Sequence, residues 1–240
     1  MLTFIHIGKT GGSTVQKVLK LEEYHLVKNY NFNNKFIIWI RNPIARFVSA
    51  FNMSYVNVNF KMFISSVKDL EPRSVLLKYR IGRYLSKKQD YIFDKRYDEL
   101  IKYFQTANKL AEALTSNIKN VRQKAEELMN YPLEHIYKGI GWYLNNGRFV
   151  KNHNNKIFFV GKQESMDEDL ERLGTLLNKK IKNDEERVNY YSTKNSKYLS
   201  PLAVENIIRF YKDTDYAALI ELNKHGWISD SVLDLYYKYP

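Results

Sequence analysis

Phe4-Ile5-His6-Ile7-Gly8-Lys9-Thr10-Gly11-Gly12-Ser13-Thr14 is the stretch on which the reading of the fold turns. It is preceded and opened by Leu2–Ile7, a short apolar run rich in β-formers, and the glycines follow at once. Ser13–Leu21 then places Val15, Val18 and Leu19 at helical spacing. Strand, glycine loop and helix in that order open a nucleotide-binding α/β fold. Glycines let successive backbone amides point into one concavity, and the start of a helix favours an anion there. Lys9 adds a mobile full charge, while Ser13 and Thr14 add hydroxyl donors. An ordinary glycine turn is the plainer explanation, but Gly-Gly directly after Lys-Thr argues against it. An ATP-binding loop of the GxxxxGK[ST] type is excluded by residue order. With Gly8-Lys9-Thr10 as its tail, the required first glycine falls on Thr3, inside the strand, and here the lysine precedes the glycines.

Moving outward, a polar stretch (Lys28–Lys35) leads to Phe36-Ile37-Ile38-Trp39-Ile40, which is apolar at every position. That pattern fits a central parallel strand covered on both faces. Arg41-Asn42-Pro43-Ile44-Ala45-Arg46-Phe47-Val48-Ser49-Ala50-Phe51 follows. Pro43 suits the first position of a helix whose inner face carries Phe47, Val48 and Phe51. Arg41 then lies at the carboxyl end of a central strand, where open α/β sheets place their ligands. Ser49 falls about two turns into the helix. A guanidinium with a nearby hydroxyl suits a phosphate monoester. A strand-ending arginine is as readily structural, so the inference rests on both anchors occurring in order.

Residues 55–105 give mixed, aromatic signals that read as helices and loops. Thr106–Asn130 reads as one helix, through Ala107, Leu110, Ala111, Leu114, Ile118, Val121, Ala125 and Leu128, with Pro132 just past its end. Ile157–Val160 reads as a buried strand. Ser165-Met166-Asp167-Glu168 matches a capping box, with its helix running through Leu170, Leu173, Leu176 and Leu177. Ser200-Pro201 starts another helix, with serine as N-cap. Neither a repeat nor a low-complexity linker interrupts the 240 residues, which predicts a single domain over 1–240.

Thirty-eight Lys+Arg against 26 Asp+Glu give a net charge of +12, which calls for an anionic partner: a nucleotide, a nucleic acid, an acidic glycan or a membrane surface. With no cysteine, disulfides, thiolate catalysis and zinc–thiolate sites are excluded. Apolar runs such as Phe36–Ile40 and Ile157–Val160 are far too short to span a bilayer. The N-terminus has no basic segment followed by an apolar core, so no signal peptide is expected. A soluble, cytoplasmic protein is the expectation, although a lumenal domain cut from a longer chain would look the same.

The two anchor segments resemble the nucleotide-binding signatures of the sulfotransferase superfamily, which uses 3′-phosphoadenosine 5′-phosphosulfate (PAPS). The nearest likeness is to its carbohydrate sulfotransferase branch. Members of that branch begin with an "HIPKTGGT"-like loop and continue with a "VRNPxxRFxSAY"-like segment. This chain has His6-Ile7-Gly8-Lys9-Thr10-Gly11-Gly12-Ser13 and Ile40 through Phe51, with Gly8 in place of the usual proline. Phe159 to Leu170 is similar to the family's later "G-x-x-E-x-x-x-x-D" element, and Phe210 to Tyr216 to its "Y-x-x-D" ending. The stretch 55–135 has no counterpart and is expected to be a helical, acceptor-side region.

The resemblance implies a three-layer, P-loop-like sulfotransferase fold: a central, mainly parallel sheet flanked by helices. It implies transfer of a sulfuryl group from PAPS to a hydroxyl acceptor, a carbohydrate by preference and one that an anionic charge would suit, with PAP (3′-phosphoadenosine 5′-phosphate) as product. Lys9, Thr10, Gly11, Gly12, Ser13 and Thr14 would hold the 5′-phosphosulfate, with Lys9 also neutralising charge on the bridging oxygen. Arg41 and Ser49 would bind the 3′-phosphate, and Lys194 would reach it from a late loop. No metal is implied, because a lysine supplies the positive charge. The acceptor needs a base, with Glu23, His25 and His135 as candidates and His25 ranked first. His6, on a buried strand, is read as structural. Two rivals remain: a P-loop kinase relative using ATP and Mg²⁺, and a basic nucleic-acid-binding protein exploiting 19 tyrosines. Those tyrosines are scattered, and no RRM, KH or zinc pattern accompanies them. One donor can bridge both anchors only if the Lys9 loop and Arg41 open onto the same face.

Overall fold

Leu2–Ile5 (β1), Glu23–Tyr24 (β2), Lys35–Ile40 (β3) and Ile157–Lys162 (β4) pair in the order β2-β1-β3-β4, every neighbour parallel. The computed structural model describes residues 1–19, 23–24, 33–66, 94–132, 135–181 and 196–239, with the backbone alone at 23–24 and 60–66. Around the sheet lie the helices Gly12–Leu19 (α1), Pro43–Ser66 (α2), Lys95–Phe104 (α3), Ala107–Ala113 (α4), Lys119–Met129 (α5), Ile140–Tyr143 (α6), Arg148–His153 (α7), Met166–Leu176 (α8), Pro201–Tyr211 (α9), Ala217–Lys224 (α10) and Asp230–Tyr236 (α11).

The alternation of side chains along β3 explains why its sequence is apolar throughout. Phe36, Ile38 and Ile40 face one core cluster, and Ile37 and Trp39 face the other. The larger cluster takes Ile44, Phe47, Val48 and Phe51 from α2, together with residues of α3, α4, α5 and α9. The smaller takes Val15 from α1 and Leu170 and Leu173 from α8. Helices therefore cover both faces of a parallel sheet, in three layers. Each such fully buried side chain stabilises the fold by roughly 1.5–3 kcal/mol relative to exposure.

The helices that follow β1 and β3 leave on opposite faces: Val15 of α1 packs in the smaller cluster and Phe47 of α2 in the larger. β1 and β3 are adjacent, with Ile5 opposite Ile38. Where neighbouring connections diverge in this way, a crevice opens beyond the carboxyl ends of the strands. The Lys9 loop follows β1 and Arg41 follows β3, so both stand at those carboxyl ends.

Several sequence expectations change in detail. β1 ends at Ile5 because the chain curls there, the Ile7 amide donating back to the Ile5 carbonyl at 3.2 Å. The helix expected over Thr106–Asn130 is two, α4 and α5, separated by Thr115-Ser116-Asn117. Asn206 of α9 donates its side-chain amide to the Ala111 carbonyl (3.0 Å) and to Thr115 Oγ1 (2.9 Å), satisfying the end of the first half from outside. The Ser165 capping box does not form. Its hydroxyl instead donates to Asp169 Oδ2 at 2.8 Å, because that buried carboxylate also binds the Lys162 amide and ammonium and needs the donors. The helix from Met166 ends at Leu176, which is exposed and not part of the inner face. Ser200 does cap its helix, accepting from the Ala203 amide at 3.2 Å, with Pro201 at the first position.

Candidate functional site

The loop after β1 is closed from within. The Thr10 hydroxyl donates to the Ile7 carbonyl at 2.9 Å, and the Thr14 amide to the Gly11 carbonyl at 3.0 Å, which starts α1. Lys9 (φ 70°) and Gly11 (φ 84°) are left-handed, a conformation that costs a lysine of order 1–3 kcal/mol and glycine nothing. A Cβ on Gly8 would stand 2.3 Å from His135 Nδ1, and one on Gly11 1.8 Å from Gln163 Oε1. Those glycines let the loop lie directly under two side chains from distant segments. The amides of Gly12 and Ser13, in the first turn of α1, have no carbonyl a turn before them to bond.

Arg41 Nη1 donates to the Lys9 carbonyl at 3.2 Å, so the strand-ending arginine and the glycine loop are in direct contact past the ends of β3 and β1. The Lys9 ammonium reaches Met53 Sδ on α2, 3.4 Å away. Ser49 is one helical turn before Met53 and therefore shares its face of α2, half-buried on the Lys9 side. Burial and the neighbouring Arg41 and Arg46 charges lower the Lys9 ammonium to about 8. Burial also lowers Arg41, against which the nearby Glu164 carboxylate is the strongest opposing influence.

Beneath this pair lies Arg46, wholly buried. Its Nη1 donates to the His135 carbonyl at 2.8 Å, its Nε stands 3.4 Å from Asp215 Oδ2, and its plane lies over the Tyr211 ring. Nη2 is buried without a hydrogen-bond partner. Asp215 Oδ1 in turn accepts from the Gly141 amide at 2.9 Å. Asp215 reaches inward because Lys212–Tyr216 forms one wide π-helical turn between α9 and α10. The "Y-x-x-D"-like ending thus meets the second arginine of the Arg41 segment.

The third segment converges on the same place. Glu164 Oε1 accepts from the Asn42 amide and Oε2 from the Tyr236 hydroxyl, each at 2.8 Å. Gln163 is the residue lying over Gly11.

Of the three base candidates, His135 is seated on the loop, against Gly8. Burial first, then Lys9 and Arg46, push its imidazole down to about 3, so it is neutral at pH 7. Glu23 lies on β2, next to β1, and its side chain falls outside the described residues. His25 and Lys194 also lie outside them. His6, expected on a buried strand, lies just past the end of β1 and is half-buried, stacked on Phe4 at 5.7 Å and set against Gly12. Ser13 is exposed and Thr14 half-buried at the start of α1. Arg46, Glu164 and Asp215 sit inside the quoted segments, but nothing local to those segments marks them as converging. Tyr236 carried no sequence signal at all.

Two half-buried cations, amides at a helix start and a buried guanidinium with an orphaned N–H fit a multiply charged anion. No protein-family model, curated protein or solved structure matches the chain.

Proposed function

We propose that this chain is a PAPS-dependent sulfotransferase with a P-loop-like fold, acting in the cytoplasm on a hydroxyl acceptor, with a carbohydrate as the preferred class. The observation that carries this is the 3.2 Å contact between the Arg41 guanidinium and the Lys9 loop, beyond the carboxyl ends of the adjacent strands β1 and β3. Anchors for the two charged ends of one nucleotide must be neighbours, and these are.

PAPS supplies an activated sulfuryl group, whose sulfur leaves the 5′-phosphate oxygen as it bonds the acceptor oxygen. The residues of the chain divide the remaining work. Amides at the start of α1, with Ser13 and Thr14, hold the 5′ end, and Arg41 with Ser49 holds the 3′-phosphate. Lys9, protonated below about pH 8, stabilises the charge that collects on the leaving oxygen. His135 is uncharged at neutral pH and hence able to accept the acceptor proton. A bound polyanion would offset the Lys9 and Arg46 charges and raise its proton affinity. Glu23 and His25 stay as alternatives for that step.

Thermal-shift titration with PAP, AMP and ATP, each with and without Mg²⁺, tests the assignment. PAP without metal should stabilise selectively, by about 2.7 kcal/mol at a hundredfold excess over Kd. Arg41→Ala should abolish the preference, and Lys9→Ala should reduce turnover far more than PAP binding. Equal shifts with all three nucleotides would overturn the assignment, and a shift confined to ATP with Mg²⁺ would replace it with a kinase.

A further inference from the structure

The C-terminal turn is buckled onto the Arg41 anchor by bonds that the nucleotide assignment does not use. Asn42 donates its side-chain amide to the carbonyls of Lys238 (2.8 Å) and Leu235 (3.3 Å), and its Oδ1 accepts from the Ile44 amide at the start of α2. Tyr216 donates to the Tyr236 carbonyl at 2.8 Å, and Tyr239 to the Lys197 carbonyl. At the centre of the buckle the buried Tyr236 donates its hydroxyl to Glu164 Oε2, while Asn42 N–H holds Oε1. Each carboxylate oxygen thereby holds a donor other than Arg41, although Glu164 is the strongest negative influence on that guanidinium.

We propose that Tyr236 is a positioning residue, which restrains Glu164 so that the Arg41 guanidinium remains open to a phosphate monoester. Resting on the nucleotide assignment above, this makes the C-terminal turn a determinant of selectivity for the 3′-phosphate. An unrestrained carboxylate beside an arginine is an internal competitor for an incoming anion, since it offers the same paired oxygens. Loss of the Tyr236 hydroxyl frees one oxygen of Glu164 to turn onto Arg41. Neutralising Glu164 as well removes the competitor.

The test measures PAP and AMP dissociation constants by calorimetry for the full chain and for Tyr236→Phe, Glu164→Gln and the double variant. Tyr236→Phe should weaken PAP about tenfold, the scale of one charge-assisted bond, and leave AMP unchanged. The double variant should recover PAP affinity to within about threefold of wild type. A merely structural tyrosine would give loss for both nucleotides and no rescue, which overturns the proposal. Wild-type selectivity retained in Tyr236→Phe also overturns it, while leaving the nucleotide assignment intact. A wild-type chain that binds PAP no better than AMP overturns the assignment itself, and this inference with it.

Discussion

Lys9 holds its charge in a half-buried position that two arginines make less favourable, and its backbone is left-handed as well. An unliganded protein gains nothing from that arrangement, which is the pattern expected of strain kept for a bound anion. Its folded-state value of about 8 lies below the ordinary 10.5, so the unfolded chain binds more protons between those two pH values. Stability therefore rises with pH across that window, and the full cost is present below pH 8. Lys9→Met should stabilise the chain at pH 7 by about 1–2 kcal/mol, after discounting for solvent screening, and the gain should shrink toward pH 10.5. Denaturant midpoints at several pH values check this. In turnover assays, kcat/KM should fall as pH rises through about 8, and Lys9→Arg should move that limb upward. Residue order exposed Lys9 and Arg41 as candidates: a lysine beside glycines after one strand, then an arginine at the end of the next. The restraint on Glu164 was not legible, because its partner Tyr236 lies 72 positions away.

Among the elements, α6 and the π-helical turn Lys212–Tyr216 meet backbone to backbone. A Cβ on Gly141 would stand 2.4 Å from the Thr214 carbonyl carbon, so the two backbones touch with nothing between. Gly141→Ala must push them apart, breaking the Gly141 amide bond to Asp215 and loosening the carboxylate that faces Arg46. The expected loss is about 2–4 kcal/mol, from overpacking plus a weakened buried pair. Gly226→Ala is the control: its φ of 75° disfavours alanine, but nothing lies within 4 Å, so about 1 kcal/mol should be lost. Equal midpoint shifts in the two variants would refute the joint. At this scale the sequence was partly readable. Periodicity marked α4 and α5 but merged them, because the break at Thr115-Ser116-Asn117 is completed by Asn206, from another helix. The Ser165 capping pattern misled because a buried carboxylate one turn on captured the hydroxyl.

Across the whole molecule, the two core clusters share one sheet, and consecutive residues of β3 belong to opposite faces. Neither face can lose its packing while the other keeps a strand to pack on. Unfolding should therefore be a single transition. Trp39 reports one cluster, and Trp142 and Trp227 pack against the other. Urea curves from a variant retaining Trp39 alone and from a Trp39→Phe variant should each coincide with that protein's own far-UV dichroism curve. Separate midpoints within one variant would show the faces to be independent. Among the described residues, no helix is long and apolar enough to cross a membrane.

By itself the sequence determined the α/β class, the strand–loop–helix entrance and the position of two cationic side chains, Lys9 and Arg41. Those are local properties, written in hydrophobic period, glycine placement and charge. Only the tertiary structure decided that α1 and α2 leave the sheet on opposite faces, bringing Arg41 onto the Lys9 loop. It alone set Asp215 against Arg46, Gln163 over Gly11 and Tyr236 on Glu164. Contacts between residues so far apart in the chain depend on how whole layers stack, and no short window of sequence carries that information.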